Sequence, residues 1–146
     1  MDRRIFIAFG AVVAVAAAGA SLLIGGRPEN LTLEALSGDT LAQDDGTLLV
    51  DIRTPGEWQD SGVIDGALLV TYSDADSFLS QVRPHLRDGQ RLALICRSGN
   101  RSSRAAAQIA GRVDVPVVDV AGGMNRVLDQ GYSPVAPTRA MGCTVC

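Results

Sequence analysis

Residues 92–112, LALICRSGNRSSRAAAQIAGR, run an apolar stretch, a polar loop with one glycine and an alanine-rich helical pattern end to end. An apolar run that short, feeding a helix through so tight a loop, reads as a strand buried on both faces followed by its crossover helix. Three other runs have the strand character: TLLVDIR (47–53), GALLVTY (66–72) and VPVVDV (115–120). Helical patterns separate them. LTLEALSGDTLAQ (31–43) is predicted as a modest helix, and Thr54 with Pro55 starts a single helical turn. In SDADSFLSQVRPHL (73–86), Ser73 or Asp74 is the expected N-cap, with Phe78, Leu79 and Val82 on one face. GGMNRVLDQGY (122–132) supplies a last short helix stopped at Gly131. Strands alternating with helices predict a small α/β domain with a largely parallel sheet.

The chain can bury a real core, because 47% of its 146 residues are apolar and 20% charged. A net charge of −3, without basic runs, gives no basis for a nucleic-acid partner. The three cysteines, at 96, 143 and 146, are too few and too clustered for a disulfide scaffold.

The N-terminus departs from this pattern. After Arg3 and Arg4 no charge occurs through Gly26, and residues 5–24 form an apolar stretch about as long as a helix that crosses a bilayer. RRIFI is similar to a twin-arginine export signal with Asp2 in an atypical place, and AGA at 18–20 offers a small-residue cleavage site. The expectation is an uncleaved hydrophobic helix anchoring the chain, because cleavage after Ala20 would leave SLLIGG in water. A removed signal is the alternative. Either places the remainder outside the cytoplasm, on the outer face of an inner membrane or in the periplasm. The expected division is an anchor or signal at 1–26, an α/β domain at 27–137 and a flexible tail at 138–146.

In a parallel α/β sheet ligands gather at the carboxyl ends of the strands. Cys96 sits at such an end, with a helix starting a few residues on. The loop Arg97, Ser98, Gly99, Asn100, Arg101 and Ser102 can curl so that successive amides converge on one point. Gly99 and Asn100 tolerate the positive φ that the curl needs. A thiolate at that point is favoured by unpaired amides at the helix start, which lowers its pKa. Arg97 and Arg101 add positive charge.

CRSGNRS resembles the active loop of the rhodanese-homology domain, a sulfurtransferase family whose pattern is C-R-x-G-x-R-S. LLVDIRTPGEWQDSGVIDGALLV and DVAGGMNRVLDQGYSPV are similar to its strand-turn-strand and closing segments, so the resemblance covers residues 30–136. It implies a rhodanese-like fold with helices on both faces of the sheet. It also implies that Cys96 is the catalytic residue, that residues 97–102 bind the substrate and the persulfide, and that no cofactor or metal is used. Sulfur would move from a donor such as thiosulfate to a thiol or cyanide through a Cys96 persulfide. Asp51 and Arg53, the D-x-R of the pattern, would support the active loop by a bidentate pair. The family often has His where Val63 stands and Trp near Val127, differences expected to bear on packing. Related folds bind phosphate or arsenate with one more residue in the loop, C-x5-R. Four residues separate Cys96 from Arg101 here, which favours sulfur. A thiol-disulfide or phosphate-type enzyme on the same fold, or a non-catalytic binding module, remains the alternative.

His85 is expected on the surface and Trp58 in the core. Cys143 and Cys146, spaced C-x-x-C, are expected to form a local disulfide or to relay sulfur from Cys96 by way of a mobile tail. The implied partners are a small sulfur compound, a thiol acceptor and, through residues 5–24 if they are retained, a membrane.

Overall fold

The structure is a computed structural model that describes residues 26–146; the predicted anchor or signal at 5–24 lies outside them. Its elements run β1 (Leu31–Glu34), α1 (Gly38–Gln43), β2 (Thr47–Asp51), α2 (Pro55–Ser61), β3 (Leu68–Leu69), α3 (Ala75–Val82), a 3-10 turn (Arg83–His85), β4 (Arg91–Ile95), α4 (Asn100–Ala110), β5 (Val117–Val120) and α5 (Gly123–Asp129). The five strands pair in parallel in the order β1-β5-β4-β2-β3. The sheet therefore points all its carboxyl ends at one edge. That edge receives Asp51, Cys96 and the Gly122–Gly123 turn.

Two apolar layers cover the sheet. On one face Phe78, Leu79 and Val82 of α3 and Ala105, Ala106 and Ile109 of α4 pack on Val50, Leu92 and Leu94. On the other, Leu41 of α1, Trp58 of α2 and Met124 and Val127 of α5 pack on Leu49, Ala93 and Ile95. β4 is buried on both sides because both layers rest on it, which is why its sequence shows no alternation. Asp74 is the cap of α3, accepting from the Ser77 amide. Thr54 and Glu57 close a reciprocal capping box on α2, behind Pro55.

The helical reading of 31–43 is corrected in its first half: Leu31–Glu34 is an edge strand paired with β5, and only Gly38–Gln43 is helical. Leu33 and Leu36, three residues apart, mimic a helical spacing. The strand is held instead by contacts distant in sequence. Asn30 Nδ2 donates at 3.0 Å to the carbonyls of Ala110, Val113 and Val115, and the Val117 amide donates to Asn30 O at 2.7 Å. The predicted strand at 66–72 shrinks to Leu68–Leu69.

The tail is also corrected. It is docked along the β3 edge, where the Leu69 amide donates to Met141 O at 2.7 Å. Cys143 is fully buried in the layer of α1, α2 and α5, and it is disulfide-bonded to Cys146. The local-disulfide expectation therefore describes the fold. A sulfur relay through these cysteines would require that bond to open and Cys143, which packs in the layer opposite to that of Cys96, to leave its place. Replacing both by alanine (Cys143→Ala/Cys146→Ala) is expected to cost about 2 kcal/mol, the loop-closure value for so short a ring. Urea denaturation of the variant beside the parent checks it.

Among the described residues no helix is long and apolar enough to cross a membrane, and no cluster of His, Cys, Asp and Glu could hold a metal ion.

Candidate active site

Cys96 follows the last residue of β4, and Gly99, at φ +92°, turns the chain into α4 as its N-cap. The Gly99 amide donates to Cys96 Sγ at 3.2 Å and the Ser102 amide at 3.4 Å. The residue is 1% exposed, and its sulfur lies at the centre of the bowl formed by the curling loop amides. Burial alone would push the thiol up. The Ser102 amide, followed by the amides of Ser98 and Gly99, outweighs it and holds the pKa below the ordinary thiol value.

A second turn braces the bowl from outside. The first amides of α5 donate into the loop's backbone: Met124 N to Cys96 O at 2.8 Å and Asn125 N to Arg97 O at 2.9 Å. Gly123 makes this approach possible. A Cβ there would lie 2.4 Å from Cys96 O and 2.8 Å from Arg97 C, at a φ of +59°. Gly123→Ala is therefore expected to cost about 2–3 kcal/mol and to displace the loop. Denaturation would report the first effect, and a slower reaction of the Cys96 thiol with iodoacetamide the second.

Arg101 leaves the bowl and binds Glu57 of α2 through two contacts, at 2.9 and 2.5 Å. Hydrogen bonding to Arg101 is the largest cause holding Glu57 down at about 2, and the same contact raises Arg101. At neutral pH the pair thus ties α4 to α2 across the site. Asn100 opens α4 and makes no side-chain hydrogen bond among the described residues. Arg97 is exposed and, with Asn125 and Glu57, lines a pocket of about 150 Å³ beside α5.

Asp51 and Arg53 are 0% and 1% exposed and form the bidentate pair expected of them, with Arg53 Nε at 3.0 Å from both carboxylate oxygens and Nη2 at 2.8 Å from Oδ2. Their direct target differs from the expectation. The other guanidinium donors go to α2 and its end, at Glu57 O (3.2 Å), Ser61 Oγ (2.6 Å) and Gly62 O (2.7 Å), and not to the cysteine loop. The pair fixes α2, and α2 presents Glu57 to Arg101.

A model of the rhodanese-like domain matches residues 34–132. The chain belongs to the rhodanese-like domain family. No curated protein matches it significantly. Among solved structures it is similar to a rhodanese-related protein from Thermoplasma volcanium, at 25% identity and a TM-score of 0.55, covering 71% of this chain and 99% of that one. A protein of unknown function described as a possible tyrosine phosphatase, from Rhodopseudomonas palustris, gives 21% identity and a TM-score of 0.58 over 70% and 85% of the two chains. A rhodanese-like domain protein from Staphylococcus aureus gives 22% and 0.51 over 67% and 90%.

Within this rhodanese-like domain, Val63 and Val127 are both 0% exposed, in the layer of α1, α2 and α5. Val63 also bridges to Val135 by two hydrogen bonds of 2.9 Å. Trp58 is 3% exposed and His85 lies on the surface. Two further residues stand beside the loop, each with a signal in the sequence. For Glu57 it is the T-x-x-E capping box, which places a carboxylate at the start of α2. Asp119 is 2% exposed and accepts from Ser102 Oγ at 2.6 Å. Its signal was a lone carboxylate inside the apolar run VPVVDV.

Proposed function

We propose that the rhodanese-like domain is a sulfurtransferase in which Cys96 carries sulfane sulfur as a persulfide. The observation that carries this reading is the bowl itself: two backbone amides reach Cys96 Sγ and its pKa is lowered in spite of burial. The Cys96 thiolate attacks the outer sulfur of thiosulfate. The S–S bond of the donor breaks, its electron pair leaves on sulfite, and Cys96 keeps a persulfide. A thiolate acceptor then attacks the outer persulfide sulfur. The Cys96–S bond breaks, its electron pair returns to Cys96, and the acceptor leaves as a persulfide. The Ser98, Gly99 and Ser102 amides stabilise negative charge on sulfur in both half-reactions, so no separate base is required. Four residues between Cys96 and Arg101 make a tight ring, which favours a sulfur atom over a tetrahedral phosphate.

The domain is proposed to work outside the cytoplasm, held by residues 5–24 or released from them. The charge pattern of the N-terminus supports this, and a Cys143–Cys146 disulfide suits an oxidising compartment.

Intact mass of the full-length, non-reduced protein after exposure to thiosulfate tests the reading. The expected result is a gain of one sulfur atom, lost again on adding cyanide. No gain, together with turnover of an aryl phosphate, would assign the site to phosphate chemistry. The same spectrum shows whether the chain is cut near Ala20.

A further inference from the structure

Two openings flank the cysteine loop, and their charges differ. The pocket beside α5 brings Arg97 together with the carboxylates of Glu57 and Asp60. The groove on the other flank, between α4 and the segment after β3, encloses about 290 Å³, near the lower end of the range for small-ligand sites. Its floor is apolar, made by Ile52 and Ala105, which belong to the same buried cluster as Cys96. Tyr72 and Gln108 form its rim, joined by a 2.6 Å hydrogen bond from the phenol to the amide oxygen. Arg101 and Arg104 line it as well, and no carboxylate does.

The two arginines are not equivalent. Arg101 is neutralised by Glu57. Arg104 is exposed and has no acidic partner among the described residues. It stands one helical turn beyond Asn100 and lines the groove together with the loop arginine, Arg101. An apolar floor drawn from the cluster that holds Cys96 and one unpartnered cation on the lining are complementary to a particular kind of molecule. That molecule has a short carbon body and a terminal carboxylate.

We propose that this groove is the acceptor subsite, and that it selects small thiols carrying a carboxylate over neutral ones, with Arg104 as the specificity-determining residue. The inference rests on the sulfurtransferase reading and adds the acceptor's chemical class. The carbon chain of the thiol lies over Ile52 and Ala105, its carboxylate meets Arg104, and its sulfur points into the bowl. The step is the second half-reaction given above, with the electron pair of the broken Cys96–S bond returning to Cys96.

The experiment compares discharge of the thiosulfate-loaded, full-length protein by 3-mercaptopropionate and by 2-mercaptoethanol, which are close in size and differ in charge. Each is measured in the parent, in Arg104→Gln and in Arg104→Lys, so that the thiols' intrinsic reactivities cancel in the variant-to-parent ratio. Arg104→Gln is expected to lower the ratio of anionic to neutral second-order rate constants about fivefold, the upper end for an exposed ion pair. Arg104→Lys is expected to restore most of it, and 0.5 M salt to erode the parent's preference. A ratio unchanged in Arg104→Gln overturns the proposal, as does an equal loss with both thiols. Failure of the protein to gain sulfur from thiosulfate is read in the loading step, before any acceptor is added. That result would sink the sulfurtransferase reading and with it this one; normal loading with an unchanged ratio removes the subsite alone.

Discussion

Cys96→Ser is expected to reduce thiosulfate-to-cyanide sulfur transfer to below about one-thousandth of the parent rate, because the covalent intermediate has no sulfur on which to form. The substitution is conservative in shape: serine keeps a small polar side chain at the end of β4, and the Gly99 and Ser102 amides keep an acceptor. The fold should therefore survive, and a circular-dichroism melt close to the parent's would show that the loss is chemical. The parent thiol carries a companion expectation. Its rate of reaction with iodoacetamide should rise with pH and level off below the pH at which an ordinary cysteine does, since the amides lower its pKa against the effect of burial. The plateau marks the thiolate. A midpoint at or above that of a free thiol, or a Cys96→Ser variant with full activity, would remove the basis of the proposed mechanism.

Asp51→Ala should produce the largest loss of stability, about 3–5 kcal/mol, the cost of leaving a buried charge without its partner. Arg53 is 1% exposed, and the substitution leaves its Nε and Nη2 without the carboxylate that now accepts from them. Such a loss is a large part of the stability of a domain this size, about 5–15 kcal/mol. The charge-free pair Asp51→Ala/Arg53→Met separates the ion pair from mere packing. Removing both charges should recover part of the loss, and a double-mutant cycle on denaturation midpoints gives the coupling. Should Asp51→Ala fail to fold, Asp51→Asn, which keeps hydrogen-bond acceptance, gives the intermediate value. Because the guanidinium fixes α2, and α2 carries Glu57, a folded variant at this position should also loosen the Arg101 contact. Protection of the α2 amides from hydrogen exchange would fall before that of β4.

The α/β class and the cysteine loop were legible because their causes are local. An apolar run buried on both faces, a glycine able to take φ +92° and a helix start with unpaired amides all lie within 21 consecutive residues. Other parts had causes far away along the chain. Leu31–Glu34 looks helical until β5 offers its backbone, and LTLE by itself is too short to show a strand's alternation. The tail looked free because nothing in PTRAMGCTVC has a period; the disulfide and the β3 edge hold it. Glu57 and Asp119 lie 44 and 17 residues from the loop residues they contact, and no spacing rule links them.

By itself the sequence determined the strand-loop-helix that presents Cys96 and the types of residue around it, since short-range sterics and hydrogen-bond valence decide those. Only the tertiary structure decided which groups converge there. A parallel sheet brings the ends of β2, β4 and β5 to one edge, so that α5 amides brace the loop, Glu57 captures Arg101, and Arg53 turns to α2 instead of the loop. Those contacts depend on which strand lies beside which, and that order is fixed by packing both faces of the sheet at once, a condition no local stretch of residues contains.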